Sequence, residues 1–402
     1  MKILDQHLAI NSKNFRTIID HLVSFGGKAR IVGGAVRDGL LDVPSSDIDI
    51  ATDLPAEQVT EALKAHNIRV IPTGIKFGTV TALIRGETFE ITTLRRDISC
   101  DGRRAKVKYT KDFAEDAARR DFTINALSYC PSEEKIYDYF DGIKDLKAGR
   151  VVFIGEPEQR IGEDYLRILR FFRFSCRYAK EIDQEGLSAC VRHKDMISIL
   201  SGERIKSEID SLLQLDGAPE IVHAMYESGI LQQAFPVKTY NHQMHVKALE
   251  VAKSFGVSLD VLVIYAILFM DCAFSLNQIV KLKFSKAEAK LVVSMIDLQN
   301  DSTMMEDSLR KIWLEDRGFI QHSIFASVIK HENESDLESI NKLYERLQLL
   351  ERPLFPLRGR DITPLGYSGK ELGNAINLLK TKWIQSEFTA SRDELINLVR
   401  EK

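Results

Sequence analysis

The chain has 402 residues, of which 44% are hydrophobic and 28% are charged, and its formal net charge is −3. One hydrophobic core rarely supports a chain of this length, so we expect two to four domains. The slight negative charge argues against a protein that coats nucleic acid through its overall field, so any binding of RNA must rely on local positive patches.

The sequence contains no apolar run of the length that spans a membrane, and its first residues lack the apolar core of a signal peptide. Its five cysteines are widely spaced and include no Cys-x-x-Cys pair, which is typical of reduced thiols. We therefore expect a cytoplasmic protein that has no contact with a membrane. Nothing in the sequence indicates a protein partner.

A short apolar strand is predicted at 30–32, and it runs into Gly33 and Gly34 before a helical stretch that reaches residue 41. Paired glycines let the backbone approach a phosphate group closely, and the N–H groups at the start of a helix favour an anion. We therefore predict that Gly33 and Gly34 contact a nucleotide and that Arg37 faces the same region.

Asp47 and Asp49 follow this turn on a second predicted strand. Side chains at i and i+2 of a strand point to the same face, so the two carboxylates lie together while Ile48 and Ile50 enter a core. Two close like charges are costly unless cations neutralise them, and carboxylate oxygens suit Mg²⁺ that is held together with substrate phosphates. A Gly-Gly turn alone, or an Asp-x-Asp pair alone, is more often structural. The two in this order indicate a catalytic site that binds Mg²⁺ and a nucleotide.

Short β-branched runs alternate with helical stretches in the first 150 residues or so of the chain. A strand predicted at 88–92 carries Glu90, which is either a third carboxylate of the catalytic face or an ordinary outward-facing glutamate. The charged stretch 94–108 has little apolar periodicity, and its simplest interpretation is a solvated surface loop. Strand signals almost vanish after about residue 150, and amphipathic patterns predict helices for the rest of the chain.

A helix is predicted over 162–178, with Asp164 and Arg167 three residues apart and Arg170 and Arg173 continuing the same stripe. An ion pair on a solvated face would explain the first spacing, but not three arginines among apolar residues. A carboxylate only accepts hydrogen bonds and a guanidinium only donates them, so the pair suits a base edge with an amino group beside a ring-nitrogen acceptor. Cytosine and adenine have this edge, whereas uracil and guanine reverse it.

Four ordered motifs carry a resemblance to a known family. The Gly-Gly turn with its two aspartates is the first, and the others are RRDFTINAL at 119–127, EDYLRILR at 163–170 and SGERI at 201–205. Together they resemble the motifs of the class II tRNA nucleotidyltransferases and bacterial poly(A) polymerases. The resemblance spans about residues 28–210.

The resemblance implies an α+β fold, in which a polymerase β-like nucleotidyltransferase α/β head is followed by an all-helical remainder. The head would occupy residues 1–150 and carry catalysis. A helical neck at 151–215 would recognise the base, and a helical body at 216–340 would precede a helical tail at 341–402 that binds tRNA.

For individual residues, the resemblance implies that Arg120 contacts the sugar or triphosphate, with Asp121 and Asn125 at the ribose. An alternative for Asn125 is ordinary hydrogen bonding within a turn. Tyr139 stands where the family pattern has proline, in a segment thought to brace the head. The stretch 94–108 resembles the flexible loop that the family uses when its pocket changes from cytosine to adenine.

The implied activity is the template-independent, Mg²⁺-dependent addition of CMP and AMP from CTP and ATP to the 3′ end of tRNA. A poly(A) polymerase and an enzyme that adds only the terminal A are alternatives on the same scaffold. A non-catalytic RNA-binding protein is an alternative of a different class, which the intact carboxylates disfavour.

His242, His245 and Asp271 invite comparison with a His-Asp phosphohydrolase site. That site needs a histidine directly before the aspartate, and Met270 occupies this position. We therefore expect these histidines to be packed in a core or exposed to solvent.

Overall fold

The computed structural model describes residues 13–44, 48–100, 105–272, 274–299, 305–315, 318–329 and 334–400. The chain divides into two compact units between Phe235 and Pro236. More than one domain was expected from the length of the chain. The finer division into head, neck, body and tail stays a prediction.

The first unit contains all the strands among the described residues. They are β1 (Ala29–Val32), β2 (Asp49–Thr52), β3 (Arg69–Gly74), β4 (Thr79–Ile84), β5 (Glu87–Thr93), β6 (Arg95–Cys100), β7 (Ala105–Tyr109), β8 (Ser128–Cys130) and β9 (Lys135–Tyr137). Seven of them form a mixed sheet in the order β3-β4-β5-β2-β1-β8-β9, and β6 pairs with β7 separately. Within the large sheet β2 and β5 are parallel, and the other neighbours are antiparallel.

Along the chain, the helices of the first unit are interspersed with the strands up to β9, and only helices follow β9 in this unit. They are α1 (Lys13–Ser24), α2 (Gly34–Leu40), α3 (Ala56–Lys64), α4 (Phe113–Ala118), α5 (Gly142–Ala148), α6 (Pro157–Glu163), α7 (Leu166–Tyr178), α8 (Gln184–Arg192), α9 (Gly202–Leu213), α10 (Ala218–Glu227) and α11 (Ile230–Ala234). The prediction of an α/β region followed by helices is therefore confirmed for this unit.

Buried apolar and exposed polar side chains alternate around Asp49 in β2 and Glu90 in β5, so the sheet has a core face and a polar face here. Ile50 and Ile91 are fully buried in one hydrophobic cluster with apolar residues of α1 and α3. Asp49 and Glu90, their neighbours in sequence, are exposed. Because successive side chains of a strand point to opposite faces, these two carboxylates lie on the face away from that core. Ile48 is also buried, so the prediction that both isoleucines enter a core is confirmed.

The interpretation of 94–108 as a surface loop is wrong for most of the stretch. Strands β6 and β7 pair antiparallel there, with Arg95 opposite Tyr109 and Arg96 opposite Lys108. Residues 101–104 lie outside the described residues. Hydrophobic periodicity gave no signal for this hairpin, because backbone hydrogen bonds between two strands do not require apolar side chains.

The helix predicted over 162–178 is interrupted. α6 ends at Glu163 and α7 begins at Leu166, while Asp164 between them has an extended backbone with φ −154° and ψ 107°. The side chain of Asp164 accepts a hydrogen bond of 3.1 Å from the N–H of Leu166. The first N–H groups of a helix have no partner within it, so an aspartate just before α7 favours a new start there. The three arginines predicted at three-residue steps all lie on α7.

The second unit contains only helical elements among its described residues. The α-helices are α12 (His242–Ser254), α13 (Val261–Phe269), α14 (Leu276–Lys281), α15 (Lys286–Gln299), α16 (Met305–Glu315), α17 (Phe319–Ile329), α18 (Glu334–Gln348), α19 (Gly359–Ile362), α20 (Gly369–Gln385) and α21 (Arg392–Arg400). Two hydrophobic clusters lie in this unit, one around Trp313 and the other around Trp383. Across the described part of the chain, no helix combines the length and the apolar character needed to cross a membrane.

His245 of α12 belongs to the interior of the second unit. It is fully buried, and its Nδ1 lies 2.8 Å from the hydroxyl of Tyr240. Burial, with a smaller effect of His242, lowers the pKa of His245 to about 4. The expectation that this histidine is packed in a core is therefore confirmed.

The low pKa of His245 makes the second unit less stable in acid. Between pH 6.5 and about 4 the unfolded chain binds a proton at this residue while the folded chain does not, so stability is lost as the pH falls. The full effect is worth about 3 kcal/mol. We expect His245→Gln to lose this part of the pH dependence of the free energy of unfolding, measured by urea denaturation from pH 4 to 7.

His242→Gln is the matched control, because it changes a half-buried histidine on the same helix. It should keep most of the pH dependence of the unaltered protein, because burial, and not His242, is the larger cause of the low pKa of His245. Equal pH dependence in the unaltered protein and His245→Gln would contradict the prediction.

Candidate active site

A cleft of about 730 Å³ lies on the polar face of the sheet, between strands β2 and β5 and helix α7. Every predicted site residue that the structure describes lines this cleft. These residues are Gly33, Gly34, Arg37, Asp49, Arg120, Asp164, Arg167, Arg170 and Arg173. Asp47 lies outside the described residues. The cleft thus brings together four separate segments of the sequence, at 33–37, 49, 120 and 164–173.

Asp49 and Glu90 bring two carboxylates to this cleft side by side. They are register partners on the parallel strands β2 and β5, and both line the cleft. Neighbouring strands lie about 4.8 Å apart, so partners on one face are close. Carboxylate oxygens are the ligands that hard divalent cations prefer. Both interpretations of Glu90, as a third catalytic carboxylate and as an ordinary outward-facing glutamate, stay predictions.

The Gly-Gly turn holds two arginine side chains close to the backbone. Gly33 has φ +68° and ψ −127°, a conformation that glycine adopts without steric penalty. A Cβ at this position would lie 2.9 Å from Nη1 of Arg120. A Cβ at Gly34 would lie 3.5 Å from Nη2 of Arg37. Glycine at position 33 therefore lets the Arg120 guanidinium lie against the main chain, whereas the 3.5 Å at Gly34 is an ordinary van der Waals contact.

Arg37 is buried and held from several sides. Its Nε donates to Oδ1 of Asp38 at 2.9 Å, and its Nη1 donates to Oδ1 of Asn125. The ring of Tyr178, from α7, lies 4.3 Å from the guanidinium carbon, and its hydroxyl donates to Oδ1 of Asp38 at 2.8 Å. Burial, together with this hydrogen bond to Asp38, raises the pKa of Tyr178 to about 12, so the phenol stays a neutral donor. Nη2 of Arg37 is then the nitrogen directed at Gly34.

Asp121 is a buried carboxylate with a full set of partners. Its Oδ2 accepts from Nε and Nη2 of Arg170 at 2.8 and 2.6 Å, and its Oδ1 accepts from Nδ2 of Asn125 and the N–H of Phe122, each at 2.9 Å. Burial would raise the pKa of Asp121, but the charge of Arg170 and these hydrogen bonds outweigh it and hold the pKa below its ordinary value. Asn125 thus joins Asp121 to Arg37, and because it also lines the cleft, its role at the ribose stays a prediction.

Asp116 fixes the arginines that precede Asp121. It accepts from Nε and Nη2 of Arg119 at 2.9 and 2.8 Å, from Nη2 of Arg120 at 3.4 Å and from the N–H of Arg95 at 3.2 Å. Burial opposes its charge, but the neighbouring charges of Arg119 and Arg120 lower the pKa of Asp116 all the same. Asp116 therefore stays ionised and links the hairpin strand β6 to the cleft.

Asp164 and Arg167 both line the cleft, but they are paired with other residues. Oδ2 of Asp164 accepts from Nη2 of Arg204 on α9 at 2.7 Å. Arg167 donates to Oε2 of Glu163 at 2.7 Å and to two backbone carbonyl groups, those of Arg119 and Arg160, at 2.8 Å each. The interpretation of Asp164 and Arg167 as an ordinary ion pair within one helix is therefore wrong.

Arg170 and Arg173 share one acid of helix α9. Nε of Arg173 donates to Oε2 of Glu208 at 2.6 Å, and Nη1 of Arg170 lies 3.7 Å from Oε1 of the same carboxylate. The ring of Phe174 supports both guanidinium groups, at 4.5 and 5.1 Å from their carbons. Helix α9 therefore sets the direction of two of the predicted nucleotide-binding arginines.

The segment around Tyr139 braces the turn that carries Asn125. Asp138 accepts hydrogen bonds from three backbone N–H groups that follow it, up to the start of α5. Gly142 packs so closely on the carbonyl of Thr123 that a Cβ there would lie 2.2 Å from the oxygen. Tyr139, the departure from the family pattern, accepts a hydrogen bond of 3.0 Å from Arg30.

Several residues that hold the side chains of the cleft in place were not singled out from the sequence. Asp38 directly follows Arg37 and Arg204 lies in the fourth motif, so both had a signal in the neighbouring motif residues. Tyr178 and Glu208 had none, because each acts on a partner that is distant in sequence. Asp116 had no signal either, because nothing in the sequence distinguishes it from an ordinary surface acid of a short helix.

The chain is similar to known proteins in both sequence and structure. Residues 29–152 match the family model described as Poly A polymerase head domain, and residues 181–240 match one described as probable RNA and SrmB- binding site of polymerase A. The crystal structure of the Bacillus stearothermophilus CCA-adding enzyme in complex with CTP resembles this chain with a TM-score of 0.77 at 22% identity, over 100% of this chain and 98% of that one. This likeness confirms the predicted fold.

Two named relatives extend over nearly the whole chain. The mitochondrial CCA tRNA nucleotidyltransferase 1 of Mus musculus is 33% identical over 382 residues, which cover 92% of this chain and 86% of the relative. The Homo sapiens protein of the same name is 32% identical over 403 residues, which cover 97% and 90%. Identity sustained over this length shows that the chain belongs to the CCA tRNA nucleotidyltransferase family.

Proposed function

We propose that this chain adds CMP and AMP, from CTP and ATP, to the 3′ end of tRNA and so builds or repairs the terminal CCA. The observation that carries the proposal is the cleft, where the Gly33-Gly34 turn, Asp49 and the two base-edge residues Asp164 and Arg167 line one space. Membership of the family supports it, because the relatives that match most of the chain are named for this activity.

Mg²⁺ is the metal we propose for this site. Asp49 and Glu90 present carboxylate oxygens to the cleft, which is the donor set that Mg²⁺ prefers, and Asp47 is the remaining predicted ligand. When bound, the metal would favour loss of the proton from the RNA 3′-hydroxyl and neutralise the charge of the departing pyrophosphate. The carboxylates of Asp47 and Asp49 would hold the metal, with Glu90 as the third of them.

The positive wall of the cleft suits a triphosphate. Seven arginines and five carboxylates line the cleft among the described residues, which leaves a surplus of two positive charges. Arg37 directs Nη2 at Gly34, and Arg120 lies against Gly33, so both guanidinium groups lie beside the turn. In the proposal Arg37, Gly33 and Gly34 hold the phosphates, Arg120 contacts the sugar or triphosphate, and Arg170 and Arg173 support the nucleotide.

Asp164 and Arg167 are proposed to choose the base. Three hydrogen bonds to the protein occupy three of the five N–H donors of Arg167, and a carboxylate has about four acceptor sites, of which Asp164 uses one for Leu166 and one for Arg204. Each side chain is thus fixed and still has capacity for a ligand. Together they match the amino group and ring nitrogen that cytosine and adenine share, without a nucleic-acid template.

A poly(A) polymerase is the second candidate, because the family model that matches the head is described by that activity. An enzyme that adds only the terminal A is a narrower candidate on the same scaffold. The test supplies tRNA transcripts that lack CCA, lack only the final A, or are complete, with CTP and ATP separately and together, and sizes the products. We expect extension to stop after the third nucleotide. A long ladder of A residues would show the polymerase instead, and no Mg²⁺-dependent transfer would support a non-catalytic RNA-binding protein.

Asp49→Ala should remove most of the activity. Loss of a metal-holding carboxylate raises the barrier by several kcal/mol, so we expect the rate of nucleotide addition to fall about a thousandfold or more. Single-turnover addition of CMP to a transcript that lacks CCA measures it. Asp20→Ala, which removes an exposed aspartate of α1, is the control and should keep the normal rate. Near-normal turnover by Asp49→Ala would refute the metal assignment.

Arg204→Met should weaken the choice of base more than the rate. It removes the donor to Oδ2 of Asp164, so the carboxylate is no longer fixed against the wrong base edge. A good bidentate contact discriminates by about 1–3 kcal/mol, and we expect the preference for CTP over UTP to fall about tenfold. Addition of one nucleotide from each triphosphate in separate reactions measures this ratio.

Arg192→Met is the matched control, because Arg192 forms a similar ion pair with Glu158 and does not line the cleft. It should leave the ratio unchanged. The same ratio in Arg204→Met and the unaltered protein would show that Arg204 does not position Asp164 for base choice.

We also propose that the protein lies in the cytoplasm, because its five widely spaced cysteines are typical of reduced thiols. Relatives that cover most of the chain are named as mitochondrial, so fractionation of cells and detection of the protein in each fraction is the direct test.

A further inference from the structure

Two aromatic side chains are exposed at the margin of the cleft. Phe77 is 57% exposed and Tyr109 is 46% exposed, although each has a large apolar ring. Phe77 ends a single turn of 3-10 helix between β3 and β4, and Tyr109 ends β7. We refer to these two residues as the aromatic rim.

The two residues of the aromatic rim flank one turn of the backbone. Gly78 follows Phe77 and has φ +76°, and a Cβ added to it would lie 2.7 Å from Cε1 of Tyr109. The edge of the Tyr109 ring therefore rests directly on the main chain beside Phe77. Only a residue without a side chain permits this approach, so the turn and the hairpin are held together where the rings are exposed.

Arg95 connects the aromatic rim to the cleft. It lines the cleft, and its Nη1 donates a hydrogen bond of 2.6 Å to the carbonyl of Phe77. It is also the register partner of Tyr109 in the hairpin. Thr79, two residues after Phe77, lines the cleft as well. The rim therefore begins where the lining of the cleft ends.

Cations lie beside the rim on the hairpin. Arg95, the register partner of Tyr109, shares its face of the hairpin, and Lys111, two residues after Tyr109, is exposed. Lys108 and Arg96 are also exposed but lie on the opposite face, because successive side chains of a strand alternate. Aromatic rings among cations are the pattern with which proteins bind single-stranded nucleic acid, because bases stack on the rings while the backbone lies along the positive charges.

We propose that the aromatic rim binds the unpaired 3′-terminal bases of the RNA substrate by stacking. This inference rests on the proposed function and deepens it. The 3′-hydroxyl of the RNA must reach the carboxylates in the cleft, so the preceding nucleotides must leave across its margin. Stacking is tolerant of sequence because every base has a π face. It therefore suits an end whose last base changes with each addition.

The test compares Phe77→Leu and Tyr109→Leu with the unaltered full-length protein. We expect each change to raise KM for the tRNA about fivefold or more, while KM for CTP and ATP stays the same. A transcript with 2-aminopurine as its 3′-terminal base gives a second measurement, because stacking quenches its fluorescence. The unaltered protein should quench it, and the leucine variants should quench it less.

Three controls separate stacking from a general effect. Tyr109→Phe and Phe77→Tyr keep a ring at each position and should restore both KM and quenching. Phe25→Leu removes a ring that is 40% exposed just after α1 and does not line the cleft, and it should change neither.

The measurements distinguish failure of the aromatic rim from failure of the proposed function. Unchanged KM and quenching in the leucine variants, while the unaltered protein adds nucleotides, would overturn the aromatic rim and leave the proposed function standing. A raised KM for the triphosphates with normal KM for tRNA would also overturn it. If the unaltered protein adds no nucleotide, the proposed function is wrong and the inference is wrong with it.

Discussion

The burial of Asp121 is the constraint on which the arrangement of the cleft depends. A buried charge without a partner costs several kcal/mol, so this carboxylate must be met by donors from elsewhere in the fold. Arg170 meets it from α7, and Asn125 meets it from the turn that α5 braces. Asn125 in turn holds Arg37 beside the Gly-Gly turn. One acid therefore ties the sheet to the helix whose arginines line the other side of the cleft.

The same pairing explains how a chain with net charge −3 presents a positive cleft. Asp116 and Asp121 are ionised and buried, and each is surrounded by arginines that it cannot fully neutralise. The two acids hold the guanidinium groups in fixed orientations, and the positive charge that they do not neutralise is available to bind an anion. Because the positive charges are local and held, the site does not need a positive field over the whole protein.

The parts of the site that follow local periodicity could be predicted from the sequence, and the parts that depend on distant partners could not. The two-residue period placed Asp49 and Ile50 on opposite faces, and the three-residue step placed the arginines of α7 on one stripe. Arg204 contacts a residue 40 positions away and Tyr178 one that is 140 positions away. No window of sequence contains such a pair. The hairpin of β6 and β7 was not predicted for a different reason. Its strands are rich in charged residues and lack the apolar alternation that indicates a strand.

The break in the predicted helix before α7 has a consequence for base choice. In a continuous helix, side chains at i and i+3 are neighbours, so Asp164 and Arg167 would satisfy each other and offer a ligand little. The extended backbone at Asp164 separates them, and each is instead held by another residue, Arg204 in one case and Glu163 in the other. A carboxylate and a guanidinium that both line the cleft without neutralising each other are what a base edge with one donor and one acceptor requires. The departure from helical geometry is therefore the structural condition for the proposed selection of cytosine and adenine.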